Sequence, residues 1–129
     1  MSTEQNEQAK RKQQASFWLD YSQKLSDTIR YSEALAAIER ALALDETNAE
    51  AHYVRGTCLA MLARYDEALR DFEAALYLDN TSVPAWDGKA WVLGIMGKKE
   101  EALAAINRAL ELDPDYFEAL KRKKRIEAM

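Results

Sequence analysis

Apolar residues in this chain fall at helical spacing, and the whole pattern then recurs. Ala68, Leu69, Phe72, Ala75 and Leu76 form one stripe, and Ala102, Leu103, Ile106, Ala109 and Leu110 repeat it 34 residues later. Ala34-Leu35 and Ala41-Leu42 mark an earlier copy at the same period, and Leu44-Asp45, Leu78-Asp79 and Leu112-Asp113 close the three. Steps of three, four and seven residues put each stripe on one face of a helix. A fixed period of this size predicts stacked copies of one small unit, because a single pair of helices cannot bury such a stripe alone.

Breakers and caps divide each copy into two helices, A and B. In the third copy helix A is predicted from about Pro84 to Met96, Gly97 breaks it, and helix B runs from about Lys98 to Leu112. Asp113-Pro114 ends the second helix, since proline cannot continue it and biases the preceding residue to extended geometry. Pro84 stands near a helix start, where its missing N–H costs little. Asn48 and Ser82 precede helix A of copies two and three as N-caps. Asp66-Glu67 and Glu100-Glu101 fall in the first turn of helix B, where the macrodipole favours acids. That placement explains them more simply than acid–base catalysis does.

Composition narrows the function. The 129 residues suffice for one domain, with only four glycines and two prolines. No apolar run has the length of a membrane span, and Met1 to Gln8 contain no apolar stretch for a signal peptide; a cytoplasmic location is expected. Cys58 has no internal disulfide partner and reads as a small packing residue. The net charge of −4 is unevenly spread. Residues 13–120 carry ten basic against nineteen acidic side chains, a net of −9, while residues 121–129 carry +4. An acidic body is a poor partner for nucleic acid, which needs a basic face.

Within this frame the residues resemble the tetratricopeptide repeat family, whose unit is a helix–turn–helix of 34 residues. Trp18 and Trp86 match its helix A tryptophan, with His52 in the middle copy. Gly56 matches its helix A glycine, with Ser22 and Ala90 in the other copies. Ala34, Ala68 and Ala102 match the small residue of helix B, and Ile38, Phe72 and Ile106 its bulky partner. Pro114 matches the terminal proline, where Glu46 and Asn80 stand elsewhere. The resemblance implies an all-α, right-handed superhelical α–α solenoid. Three copies would occupy 15–48, 49–82 and 83–116, after a polar tail at 1–14 that is expected to fray or move. A capping helix is expected at 117–129, with Phe117 and Leu120 as its apolar edge.

The resemblance also implies that helix A lines a concave groove that holds a peptide or a partner's helix. Followed from copy to copy, one helix face reads Leu19, Gln23, Asp27, then Tyr53, Thr57, Met61, then Asp87, Trp91, Ile95, then Lys121, Arg125. The expected groove is therefore graded. Asp20, Gln23 and Asp27 make its first part polar and acidic, Tyr53, Met61, Trp91 and Ile95 its middle apolar, and Lys121, Arg122 and Arg125 its far end basic. Thr57, Ala60 and Gly94 leave room between the large side chains. Trp91 is additional to Trp86 and lies about 140° further round the helix. It reads as a binding anchor, or more blandly as a filler between neighbouring A helices.

The run Lys121 to Arg125 reads as a solvated cap face, as a site for an acidic group on a ligand, or as a nucleic-acid or anionic-membrane contact. One subset of the family clamps acidic chaperone tails with Lys, Asn and Arg. The matching positions here, Leu19, Gln23, Val54, Pro84 and Gly88, lack those charges, so that activity is not expected. No Cys/His cluster has metal-ligand spacing and no glycine loop cradles phosphate, so no enzyme activity and no cofactor are expected. The expectation is a non-enzymatic interaction module, a scaffold or adaptor. Its partner would be a protein or peptide offering bulky apolar and acidic side chains to Tyr53, Thr57, Met61, Asp87, Trp91, Ile95, Lys121, Arg122 and Arg125. The alternatives are self-association into a homo-oligomer through the terminal helices, and nucleic-acid or membrane-surface binding by the basic C-terminal helix.

Overall fold

A computed structural model, which describes residues 2–129, turns the repeating stripe into seven helices. They are α1 (Thr3–Asp27), α2 (Tyr31–Leu44), α3 (Ala49–Met61), α4 (Tyr65–Leu78), α5 (Val83–Ile95), α6 (Lys99–Leu112) and α7 (Phe117–Glu127). No strand occurs among the described residues. The protein is an all-α helical repeat solenoid.

Local chemistry sets the helix ends. The Asn48 and Ser82 side chains accept hydrogen bonds from the Ala51 and Ala85 amides, as N-caps do. Between helices A and B the chain reverses at one residue of positive φ in each copy: Ile29 (62°), Ala63 (62°) and Gly97 (78°). After helix B, the Asp45 and Asp79 carboxylates accept from the amides of Thr47 and Thr81, both at 3.0 Å, and Asp113 accepts from Asp115 N at 3.1 Å. These Asx turns release the chain into the next copy.

Packing follows the stripes. Ala34, Ala68 and Ala102 and their bulky partners Ile38, Phe72 and Ile106 are all fully buried. Phe72 reaches furthest. Added Cβ atoms would lie 3.1 Å from its ring at Gly56 and 2.6 Å at Gly88, so α4 inserts its aromatic between α3 and α5 against bare backbone. Each helix packs on its neighbour in sequence, and α1, α3, α5 and α7 also touch in succession. No such contact joins α2, α4 and α6 among the described residues. Close approach on the A side and splaying on the B side curve the stack, so helix A residues line its inner face.

Two terminal features differ from the sequence reading. The polar segment expected to fray is helical from Thr3, as part of the 25-residue α1. Ser2 and Gln5 form a reciprocal capping box, and the Arg11 guanidinium lies within 3.5 Å of the Ala43 and Leu44 carbonyls at the end of α2. In α7 the buried edge is Ala119 and Ile126, not Phe117 and Leu120, which are 65% and 42% exposed. Ala119 follows Ala51 and Ala85 in register, and Ile126 follows Cys58 and Val92, all buried against the preceding copy. Leu120 follows Trp86, which packs on the cluster containing Ala102 and Ile106 of its own helix B. Beside α7 no described helix plays that part.

Candidate functional site

The expected groove residues lie on α3, α5 and α7, and four of them meet in one network. Tyr53 packs on Phe72 with ring centroids 5.9 Å apart. Burial pushes its phenol above the ordinary tyrosine range, and the nearby Asp87 carboxylate acts in the same direction. Asp87 is only 8% exposed. It accepts hydrogen bonds from Arg122 Nε at 2.6 Å and Nη2 at 3.3 Å, so a two-pronged ion pair ties α7 to α5. The same guanidinium lies 5.7 Å from the Trp91 ring. Trp91 itself is half-buried and packs on the core shared by α1 to α5. Asp87 and Arg122, expected as open groove side chains, thus engage each other first.

Two cavities flank this network. Between α5 and α7 a cleft of about 300 Å³ is lined by Ala90, Trp91, Gly94, Ile95, Arg122, Arg125, Ile126 and Met129. Its floor is apolar, and its two charged side chains are arginines. Gly94 adds room to it, and a Cβ there would meet Ile126 Cγ1 only in ordinary contact at 3.8 Å. Between α1 and α3 a second cavity of about 240 Å³ is lined by Gln23, Ser26, Asp27, Tyr53, Val54 and Thr57. Met61 and Lys121 line neither cavity. Met61 is exposed, and Lys121 turns to Glu118 at 3.4 Å and to the Phe117 ring at 4.7 Å.

Sequence reasoning missed Tyr116 and the place of Ile126. Tyr116 joins the network from the loop before α7; burial raises its phenol pKa, with Asp87 and Tyr53 adding to the effect. The available signal for Ile126 was its register with Val92.

Away from the groove, His52 and Trp86 show how two residue types fill one place. His52 Nε2 lies 2.8 Å from the Glu46 carbonyl, and Trp86 Nε1 donates to the Asn80 carbonyl at the same distance. His52 Nδ1 faces Asp71 Oδ1 at 3.3 Å, and Arg55 pairs with Asp71 through Nε at 2.7 Å and Nη2 at 2.9 Å. Burial alone would raise the Asp71 pKa, but the hydrogen bonds from His52 and Arg55 outweigh it and hold the carboxyl low. Cys58 is fully buried, and burial pushes its thiol up, as suits a packing residue. Among the described residues no cluster could hold a metal ion, and no helix is long and apolar enough to cross a membrane.

Comparison with known proteins agrees with this architecture. Two family models, each described as a tetratricopeptide repeat, match residues 27–83 and 83–116. No curated protein matches the chain. Among solved structures, the Arabidopsis OM64 TPR domain superposes with a TM-score of 0.89 at 19% identity, covering 92% of this chain and 98% of its own. The first TPR of Spaghetti (RPAP3), bound to an HSP90 peptide, gives 0.87 at 24% identity over 91% of this chain and 93% of its own. YrrB, described as a TPR protein with an unusual peptide-binding site, gives 0.80 at 28% identity over 85% of this chain and 57% of its own.

Proposed function

Because this chain belongs to the tetratricopeptide repeat family, we propose that it is a protein-interaction module that holds a segment of a partner protein on its helix A face. One observation carries the reading: the cleft of about 300 Å³ between α5 and α7, apolar on its floor and flanked by Arg122 and Arg125. A bulky apolar side chain fits against Trp91, Ile95 and Ile126. Arg122 is already committed to Asp87, so Arg125 is the cation left to meet an acidic group of the partner. Peptide binding by the RPAP3 domain supports the general mode, while the clamp that the resemblance implies for the chaperone-binding subset of the family finds no charged counterpart at Leu19, Gln23, Val54, Pro84 or Gly88. The module acts without chemistry of its own, as a scaffold or adaptor.

The test uses peptides selected from a random displayed library on the wild-type protein. Trp91→Ala should weaken their binding by about 2 kcal/mol or more, roughly thirtyfold in Kd. Circular dichroism melts report whether the variant still folds. A variant that loses its fold while each folded molecule keeps its affinity would make Trp91 a packing residue only.

Self-association is the second reading. It rests on Phe17 at 62% and Phe117 at 65% exposure, on the first and last helices of the stack.

A further inference from the structure

The cavity between α1 and α3 differs in chemistry from the cleft between α5 and α7. Its lining offers the Asp27 carboxylate, the Gln23 amide and the hydroxyls of Ser26, Tyr53 and Thr57, and no lysine or arginine. Gln23 Nε2 already donates to Glu50 Oε1 at 2.7 Å, which leaves the Gln23 carbonyl oxygen as an acceptor and brings a second carboxylate to the rim. Thr57 donates its hydroxyl proton to the Tyr53 carbonyl at 3.0 Å, so its oxygen lone pairs remain available. Asp27 joins no ion pair among the described residues. It is also the last residue of α1, where the negative end of the macrodipole favours a cation.

We propose that this cavity is a subsite for an amine or guanidinium, so that the groove takes a segment with a lysine or arginine toward α1 and its apolar and acidic side chains toward α7. The inference deepens the reading above and rests on it for the far half of the groove. A lysine or arginine stem lies along Val54 and Tyr53 while its charged head meets Asp27. A carboxylate or phosphate in the same place faces Asp27 and Glu50 with no compensating cation, and is repelled. Tyr53 borders the cavity and belongs to the Asp87–Arg122 network, so the two subsites adjoin. Negative potential on one side of that phenol and Arg125 on the other give the groove a direction. The charge order of the partner, and not its apolar content alone, then decides how it lies.

The experiment uses the full chain and the library-selected peptides, with affinities from fluorescence polarisation. The selected peptides should contain lysine or arginine. Asp27→Asn should weaken them about tenfold, while Glu7→Gln, on the same helix but outside the groove, should leave them unchanged. Replacing the peptide lysine by glutamine should cost affinity with the wild type and nothing further with Asp27→Asn. Peptides that need Trp91 yet bind Asp27→Asn unchanged, or that lose as much from the lysine change with either protein, overturn the subsite while sparing the α5–α7 cleft. Coupling of Asp27 to the peptide lysine without dependence on Trp91 supports the subsite and overturns the cleft. Failure of the wild type to enrich any peptide overturns both.

Discussion

Ile29, Ala63 and Gly97 share one left-handed turn, and only glycine adopts it without steric cost. For an L-residue that conformation costs about 1–2 kcal/mol, and a β-branched residue is the worst case. Ile29 recovers little by burial, being 74% exposed. Ile29→Gly should therefore raise stability by about 1 kcal/mol, after glycine's greater freedom in the unfolded chain is subtracted. A lower urea midpoint for the variant would sink this account. His52 supplies a second outcome at this scale. Its hydrogen bond to Asp71 raises the imidazole pKa above the ordinary value of about 6.5. With Nε2–H donating to the Glu46 carbonyl, Nδ1 can donate to Asp71 only when the ring is charged. The stabilisation is fully present below the unfolded pKa and is lost as pH rises through the higher folded value. NMR titration of this sole histidine should find a pKa above 6.5 that falls in Asp71→Asn; an unchanged value in that variant would remove Asp71 as the cause.

The helices were readable where every copy obeys the same rule. Caps and breakers placed α5 and α6 within a residue or two, and the stripes marked the other B helices, because each signal is local and recurs. Compensation between elements was not readable. The position held by Gly88 is Asp20, Val54 and Arg122 in the other copies, so no period singles it out. The fold shows that Phe72 is larger than Ile38 and Ile106, and that its ring occupies the space a Gly88 side chain would fill. Gly88→Ala should cost about 1–3 kcal/mol by overpacking. In the Phe72→Ile background the same change should cost much less. A thermodynamic cycle in which the two changes simply add would refute the contact. The apolar edge of α7 was misread for a related reason: which face of a terminal helix is buried depends on whether a helix lies on each side of it.

At the scale of the whole molecule, the first and last described helices leave large apolar side chains exposed. Phe17 and Tyr21 on α1 stack with parallel rings 6.3 Å apart, and Phe117 and Leu120 are exposed on α7. If these ends pair copies of the chain, sedimentation velocity should show a coefficient that rises with concentration, and Phe17→Asp should suppress the rise. A strict monomer at high concentration removes the second reading and leaves the groove.

The architecture follows from sequence alone because a 34-residue period, helix-spaced alanines and recurring caps act through near neighbours. Only tertiary structure showed which side chains pair with one another. Adding 34 brought Tyr53, Asp87, Trp91 and Arg122 into view, but it could not reveal that Asp87 and Arg122, 35 residues apart, bind each other and take two charges out of the groove. Nor could it separate an arginine-flanked apolar cleft from a carboxylate-lined cavity on the two sides of Tyr53. Those are pairings between different helices. Burial and hydrogen-bond geometry settle them, and no single helix carries either in its own sequence.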